Sequence, residues 1–311
     1  MSEAEDQITA WFAQQSKLNK ADFPIGIGDD MARIELGPDS SVLVTTDMLL
    51  DGVHFDLEEV TLKQVGYKAM AVSLSDCAAM ATVPIAAVVS VAMPKGYGRT
   101  ELKQLHAGIT AAGRKFGCEL VGGDITCWSD DKPFVISVAM LSRLAGSKPI
   151  KRSGAKVGDS ICVTSSLGGA VSRKHFEFDP RVKEAIKIAQ IVTLNSMIDI
   201  SDGLSSDLNR ICKASKVGAI IDAKLIPISD DARKGENPLN SALNDGEDFE
   251  LLFTLSKEDC RMLLKKWHGS IPITQIGEIT DTKKMQMKMS DGVIRDLQPG
   301  GYDHLKGGRE S

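Results

Sequence analysis

Acidic residues recur in this sequence at the ends of short apolar runs, where a buried strand would leave a sheet. Glycine, serine or threonine lies beside most of these acids. The series comprises Asp29 and Asp30 after FPIGIG, Asp47 after VLVTT, Asp124 after LVGG, Asp199 and Asp202 in MIDISDG, and Glu247 and Asp248 in NDGED. Any one of them alone is more often a turn former, a helix cap or a solvated charge than a ligand. Their repetition in one kind of setting favours a shared site.

Asp76 is the most unusual of the acids, because it lies on an otherwise apolar helix face. Val65, Ala69, Val72 and Asp76 follow the i, i+4, i+7, i+11 spacing of one such face. Burial of an unpaired carboxylate is costly, so this group must be neutralised, paired or bound to a metal ion.

The neighbours of these acids suit Mg²⁺, which takes oxygen ligands, retains water molecules and is usually shared with substrate phosphates. Thr45-Thr46-Asp47 offers two hydroxyls and a carboxylate within three residues. The segments Gly122 to Asp124 and Asp199 to Gly203 offer carboxylates beside backbone that a phosphate can approach closely. The pattern predicts a site for several metal ions and a polyphosphate.

Familiar nucleotide-binding and hydrolase motifs are missing from the sequence. No G-x-x-x-x-G-K-[ST] occurs, and GIGDDM at 26–31 continues with two acids that would repel a pyrophosphate unless metal ions intervened. Neither H-E-x-x-H nor G-x-S-x-G is present. Arg152, flanked by turn residues, is a candidate phosphate ligand, although a solvated linker arginine is the commoner case. His54 gains interest only from its place beside the acids.

Composition limits the class of protein. The 311 residues are 42% hydrophobic, which suffices for two domains with a core each, although one large domain is also compatible. A formal net charge of −5 gives no general attraction for nucleic acid or an anionic membrane. The acidic N-terminus is unlike a secretory signal, and Val83 to Met93, the longest apolar stretch, is too short to span a bilayer. We expect a cytoplasmic protein with no nucleic-acid or membrane partner.

Helical and extended patterns alternate along the chain. The residue patterns predict strands at 41–45, 85–93, 118–121 and 134–141, a long helix over 62–80 and another over 100–116. The segment AGSKPIKRSGAKVGD at 145–159 is rich in turn residues and is the best candidate for a domain boundary. The alternation then restarts with strands predicted at 161–164 and 249–255.

Taken together, a series of segments resembles the thiamine-monophosphate kinase family. They are GIGDD at 26–30, TTDMLLDGVHF at 45–55, GYKAMAVSLSDCAAM at 66–80, LVGGD at 120–124, KRSGAKVGD at 151–159, DISDGLSSDL at 199–208, GEDFELLF at 246–253, IGEIT at 276–280 and GYDHL at 301–305. Each segment is weak alone, but so many in the same order are highly specific.

The resemblance implies a two-domain, mixed α/β (α+β) fold similar to aminoimidazole ribonucleotide synthetase. Residues 1–146 would form an N-terminal domain that binds ATP and Mg²⁺ and whose sheet pairs with a second subunit in a homodimer. Residues 147–311 would form a C-terminal α/β domain. The implied reaction is transfer of the γ-phosphoryl group of ATP to thiamine monophosphate, giving thiamine diphosphate. Because the acceptor is already an ionised phosphate, no catalytic general base is expected.

The resemblance also implies roles for individual residues. The implied magnesium ligands are Asp30, Thr45, Thr46, Asp47, Asp76, Asp124, Asp199 and Asp202. The implied ATP contacts are Gly123, Asp124, Arg152, Ser201 and His106, the last standing where family members usually have a tyrosine. The implied contacts of thiamine monophosphate are His54, Glu247 and Tyr302. Two other positions depart from the family pattern, Met31 and Leu305.

Three other functions remain open at this point. One is another ATP-using enzyme of the same fold, such as an amidine cyclase or a selenophosphate synthetase, although neither a catalytic cysteine near the N-terminus nor the cyclase loop is evident. The second is a metal-dependent phosphatase that uses the same acids in hydrolysis. The third is a non-catalytic module that binds structural divalent cations.

Overall fold

The structure, a computed structural model, describes residues 3–16, 18–38, 40–130, 132–170, 174–303 and 308–309. Helices and strands alternate along the chain, and the strands form two main sheets. The first half contains α1 (Glu3–Ser16), β1 (Ala32–Gly37), β2 (Ser40–Leu50), α2 (Leu62–Ala79), β3 (Thr82–Met93), α3 (Arg99–Phe116), β4 (Glu119–Cys127) and β5 (Val135–Leu144). Within the described ranges, no helix combines the length and the apolar character needed to cross a bilayer.

Five strands form the sheet of the first half, in the order β1-β2-β5-β3-β4. All neighbours are antiparallel except β3 and β4, which are parallel and are connected through α3. Alternation along the strands gives the sheet two different faces. Leu49, Ile136 and Val91 are buried on one face, which α2 covers, whereas Met48 and Val88 are exposed on the other.

Strand β2 is longer than the sequence pattern predicts. The apolar run predicts an end near residue 45, but pairing with β5 continues to Leu50. Thr45 and Asp47 therefore project from within a paired strand, and both contact side chains of α2. Asp124 lies within β4 in the same way. The prediction that these acids follow the ends of strands was thus wrong for Asp47 and Asp124. Asp47 has a polar partner in mid-strand because helix α2 packs on that face of the sheet, whereas Asp124 is exposed to solvent.

Helix α2 is well specified by its own sequence. Thr61 caps its N-terminus: the Thr61 hydroxyl accepts from the backbone N–H of Gln64, while the Gln64 side chain accepts from the backbone N–H of Thr61. The predicted helix over 62–80 is confirmed to within one residue at its end. Val65 and Ala69 of the apolar stripe are buried, whereas Val72 and Asp76 line a cavity.

The second half contains β6 (Ser160–Thr164), α4 (Val182–Ile191), β7 (Ser196–Asp199), α5 (Leu204–Ser215), β8 (Gly218–Asp222), α6 (Pro238–Asn244), β9 (Leu251–Leu255), α7 (Lys257–Lys266), β10 (Ile273–Thr280), β11 (Met285–Lys288), β12 (Ile294–Asp296), β13 (Tyr302–Asp303) and β14 (Gly308–Arg309). Seven of these strands form one sheet, in the order β12-β11-β8-β10-β6-β9-β7. Only β11 and β8 pair in parallel. Two 3₁₀ helices cover Lys174–Phe176 and Ala232–Lys234.

Apolar side chains from both halves share one buried cluster, and a second cluster belongs to the second half alone. Leu74 of α2 and Ile136 of β5 belong to the same buried cluster as Met197 of β7 and Phe253 of β9. Helix α2 also contacts α4 and β7 directly. The segment 145–159 runs between β5 and β6. The division of the chain at residues 146 and 147 stays a prediction.

Two glycines let α2 and α3 approach each other closely. A Cβ atom added at Gly108 would lie 1.9 Å from the carbonyl oxygen of Lys63, and one added at Gly66 would lie 2.3 Å from that of Leu105. These distances are too short for any side chain, so a larger residue at either position must push the helices apart.

We therefore expect Gly108→Ala to lower the free energy of unfolding by about 2 kcal/mol or more, through overpacking against the α2 backbone. Denaturant unfolding followed by circular dichroism measures the change. Gln104→Ala, at an exposed position of the same helix, is the control and should have little effect. Equal stability of Gly108→Ala and the parent would contradict the close packing.

Candidate active site

A cavity of about 1070 Å³ lies where the two halves meet. Its wall includes strand β2, helix α2, the loops before β1 and after β2, and the segments that follow β7 and precede β9. One part of the wall carries acidic side chains, and another carries His54, His175 and Glu247 beside phenyl rings. Most of the residues singled out in the sequence meet here.

Three carboxylates form the densest acidic cluster. Asp30 precedes β1, Asp76 belongs to α2, and Asp199 ends β7. Each offers an oxygen atom, and these atoms lie within 4.8 Å of one another. Asp30 and Asp199 are buried, and Asp76 is partly buried. Three distant segments of the chain thus place like charges together.

The donor set of this cluster fits a hard divalent cation. All three groups supply carboxylate oxygens, which Mg²⁺ prefers. Oδ2 of Asp30 is buried and has no hydrogen-bond partner within the described ranges. A buried acceptor without a donor is costly, so a ligand for that oxygen is expected.

Repulsion and burial both act on these carboxylates. Burial, followed by the charges of Asp47, Asp199 and Asp30, raises the pKa of Asp76 well above its ordinary value. Burial and the charge of Asp30 raise the pKa of Asp199 to about 8, and burial raises that of Asp47 to about 6. A bound cation would favour the ionised form of every member and so reverse these shifts.

Hydroxyl groups hold the acids in place. Ser73 of α2 donates to Asp47 at 2.6 Å, and Ser75 of α2 donates to Asp199 at 2.6 Å. Thr45 donates to Asp76. Thr46 projects from the other face of β2, where its hydroxyl lies 3.4 Å from that of Ser137. Sequence reasoning missed Ser73 and Ser75, although their places in SLSD beside Asp76 gave a signal.

Two arginines enter the acidic part of the cavity. Nη2 of Arg152 lies 2.7 Å from Oδ1 of Asp30. The backbone N–H of Arg152 donates to the Asp29 carboxylate at 2.7 Å. Arg210 of α5 forms ion pairs with Asp202 and with the buried Asp207. Arg152 is therefore an ion-pair partner of the cluster rather than a solvated linker residue, and Arg210 was not singled out in the sequence.

Three predicted nucleotide contacts lie away from this cavity. Asp124 is in the same row of the sheet as Ser90, Ser137 and Met48, so three strand spacings, roughly 14 Å, separate it from β2. Gly123, its neighbour on the same edge strand, and the exposed His106 of α3 do not line the cavity either. Their proposed contacts with ATP stay predictions.

Lys68 organises the part of the cavity that carries Glu247. Its Nζ donates to the carbonyl oxygen of His54 at 2.7 Å and to Oε1 of Glu247 at 2.7 Å, and it lies 2.8 Å from Nδ1 of His175. His175 also contacts the carboxylate of Glu247. Sequence reasoning missed Lys68 and His175, because neither stands beside an acid in the chain.

The remaining predicted residues are placed as follows. Ser201 lines the cavity, and its carbonyl oxygen accepts from the backbone N–H of Glu247 at 2.7 Å. The backbone of Tyr302 belongs to β13, but its side chain lies outside the described residues. Leu305 lies outside them as well.

Comparison with known proteins decides the family. The AIR synthase related protein, N-terminal domain, matches residues 28–144, and the corresponding C-terminal domain matches residues 156–290. A thiamine-monophosphate kinase of Rhodopirellula baltica is 35% identical over 292 residues, which cover 90% of this chain and 91% of the relative. The chain belongs to the thiamine-monophosphate kinase family. The expected two-domain fold of aminoimidazole ribonucleotide synthetase type is thereby confirmed.

Solved structures agree with this assignment to the family. AaThiL complexed with AMPPCP and TMP is 27% identical, covers 98% of this chain and 99% of its own, and has a TM-score of 0.82. A thiamine-monophosphate kinase from Stenotrophomonas maltophilia is 28% identical over 90% of this chain and 94% of its own, with a TM-score of 0.72. The similarity extends over both halves of the chain.

The acidic cluster predicts that the free energy of unfolding falls with rising pH when divalent cations are removed. The pKa of Asp199 rises from 3.8 to about 8 on folding, so between these values the folded chain keeps a proton that the unfolded chain releases. The contribution of Asp199 to the free energy of unfolding is therefore fully present below pH 3.8 and is lost as the pH rises through about 8.

Asp199→Asn should weaken this pH dependence and raise the stability of the chelator-treated protein at pH 8 by about 1 kcal/mol or more. Asparagine still offers an oxygen acceptor to Ser75. Denaturant unfolding at several pH values measures the effect, and Asp230→Asn at an exposed position is the control. A less stable Asp199→Asn variant at pH 8 would show that repulsion does not dominate.

Proposed function

We propose that the protein transfers the γ-phosphoryl group of ATP to thiamine monophosphate and forms thiamine diphosphate, assisted by several Mg²⁺ ions. The observation that carries the proposal is the cluster of Asp30, Asp76 and Asp199, whose oxygens lie within 4.8 Å of one another. The same cavity holds Glu247, and its volume of about 1070 Å³ is ample for two ligands. The complex of AaThiL with AMPPCP and TMP supports this reading.

The proposed magnesium ligands combine the cluster with its neighbours. They are Asp30, Thr45, Thr46, Asp47, Asp76, Asp124, Asp199 and Asp202, of which all except Asp124 line the cavity. Bound Mg²⁺ would neutralise phosphate charge between the two polyanionic substrates. The chain itself supplies carboxylates that hydroxyls already hold in place, so little reorganisation is needed when ions bind.

Positive charge from the protein would complete the neutralisation of the phosphates. Burial lowers the pKa of Arg152, but the charge of Asp30 and the hydrogen bond to it more than offset this, so the guanidinium stays cationic. The acceptor phosphate is ionised at neutral pH and needs no general base. Catalysis would therefore rest on positioning and charge stabilisation, with direct in-line transfer.

The exposed face of the first sheet supports a homodimer. Met48 and Val88 are exposed on that face, and Asp124 and Gly123 lie on its edge strand. We propose that a second copy covers it, and that Gly123, Asp124 and His106 reach the nucleotide through this pairing. The proposed compartment is the cytoplasm, where ATP is available.

The test of the function is an assay of ADP release with each substrate and Mg²⁺ varied in turn. We expect release of ADP only when ATP, thiamine monophosphate and Mg²⁺ are all present, with thiamine diphosphate formed in equal amount. Protein incubated with ATP and Mg²⁺ alone should carry no phosphate. Release of ADP or of inorganic phosphate without thiamine monophosphate would favour the phosphatase, and tight ATP binding without turnover would favour the binding module.

Asp47→Asn should lower the rate about 10²-fold or more, since charge stabilisation provides much of the rate in phosphoryl transfer. Its melting temperature should stay at or above that of the parent, because asparagine still accepts from Ser73 while one repelling charge is removed. Asp51→Asn is the matched control: Asp51 accepts from the backbone N–H of Leu57 outside the cluster, and its variant should keep the parent rate. Full activity of Asp47→Asn would reject the ligand role.

A further inference from the structure

Lys68 is a buried cation at the centre of a polar cluster. Its side chain is 0% exposed, and its Nζ lies within 2.8 Å of three polar atoms, contributed by His54, His175 and Glu247. The same Nζ lies 5.0 Å from the centre of the Phe176 ring. A lysine is rarely buried completely unless its charge is compensated. Its burial here therefore depends on the contacts with Glu247 and the other two polar partners.

The partners of Lys68 come from three separate segments of the chain. His54 follows β2, His175 lies in the 3₁₀ helix Lys174–Phe176, and Glu247 lies between α6 and β9. All three partners line the cavity, whereas Lys68 does not. Lys68 therefore joins three segments of the cavity wall from behind it.

Both the backbone and the charge of Glu247 are constrained. Its backbone adopts φ of 56°, in the left-handed region that residues other than glycine seldom occupy. Burial alone would raise the pKa of its carboxyl, but the hydrogen bond from His175 and the charge of Lys68 hold the pKa at about 2. Glu247 is thus an anion in a fixed orientation, and Lys68 compensates its charge.

Helix α2 connects this cluster to the acidic one. Lys68, Val72 and Asp76 are spaced at i, i+4 and i+8, so they share one side of the helix, and eight residues span roughly 12 Å. Val72 lines the cavity between the two clusters. The helix therefore sets the distance between the proposed acceptor site and the proposed metal site.

We propose that Lys68 is a positioning residue for the acceptor substrate. It touches neither substrate but fixes His54, His175 and Glu247 in the arrangement that binds thiamine monophosphate, and it leaves the nucleotide end of the cavity unaffected. The inference rests on the proposed function, because it assigns the acceptor to this part of the cavity.

The principal experiment compares the parent protein with Lys68→Met. Steady-state ADP release is measured with each substrate varied at saturation of the other. The KM for thiamine monophosphate should rise about tenfold or more, as expected when one partner of a buried charge pair is truncated. The KM for ATP should stay near that of the parent. A parallel rise of both KM values, or no rise in either, would overturn the proposal.

Lys115→Met is the matched control. Lys115 of α3 pairs with Asp179 at 2.7 Å and with the hydroxyl of Tyr67, the residue before Lys68 in α2, at 2.9 Å. It is exposed and does not line the cavity. The Lys115→Met variant loses a lysine contact with Tyr67 of α2 and should keep both KM values near those of the parent.

A second pair of variants covers the case in which Lys68→Met does not fold. Lys68→Met combined with Glu247→Gln leaves no uncompensated charge from this pair and is compared with Glu247→Gln alone. The double variant should have the higher KM for thiamine monophosphate, because His54 and His175 also lose their anchor. Stabilisation of both variants by AMPPCP with Mg²⁺ should be equal. Equal KM values for thiamine monophosphate would overturn the role of Lys68.

The outcome also separates this inference from the proposed function. A parent protein that neither binds thiamine monophosphate in calorimetry nor releases ADP in its presence would refute the function, and the inference with it. A parent that does both, beside a folded Lys68→Met variant with unchanged KM values, would refute the positioning role alone.

Discussion

Repulsion among carboxylates is the physical constraint on which this structure depends. Asp30, Asp47, Asp76 and Asp199 are held close together although burial and like charge raise the pKa of three of them. A chain selected for stability alone would separate such groups or replace them. Their retention makes sense if the site stores electrostatic energy that a cation recovers on binding, so metal affinity and instability of the metal-free site have the same origin.

Helix α2 is the element that makes this arrangement possible. It contributes Asp76 to the cluster, and its Ser73 and Ser75 bind acids that come from β2 and β7. Lys68, two turns earlier in the same helix, binds His54, His175 and Glu247, and its positive charge compensates the charge of Glu247. The helix therefore fixes the distance between the cluster of carboxylates around Asp76 and the ion pair of Lys68 with Glu247. Its position in turn depends on close backbone contact with α3 and on apolar packing against both halves.

The sequence predicted which acids belong to the cluster better than it predicted the strand ends and the hydrogen-bond partners around them. Asp76 was identified by helical periodicity, and Asp30 and Asp199 by their places after apolar runs, because these signals are local. The predicted end of β2 was wrong, because side chains of α2, which is distant in the sequence, form hydrogen bonds with polar residues in the middle of the strand. Ser75 and Asp199 are 124 residues apart, and Lys68 and Glu247 are 179 apart. Such contacts depend on the tertiary fold, and lysine in particular is a residue that sequence patterns place at the surface.

The hydrophobic core shared by the two halves has a consequence for how activity arises. Leu74 and Ile136 pack in the same cluster as Met197 and Phe253, so this cluster is complete only when the two halves pack together, whereas a second cluster lies within the second half alone. The cluster carboxylates are distributed in the same way, with Asp30 and Asp76 from one half and Asp199 from the other. A chain in which only one half has folded consequently lacks part of the carboxylate cluster. The complete carboxylate cluster therefore forms only when both halves have folded and packed against each other.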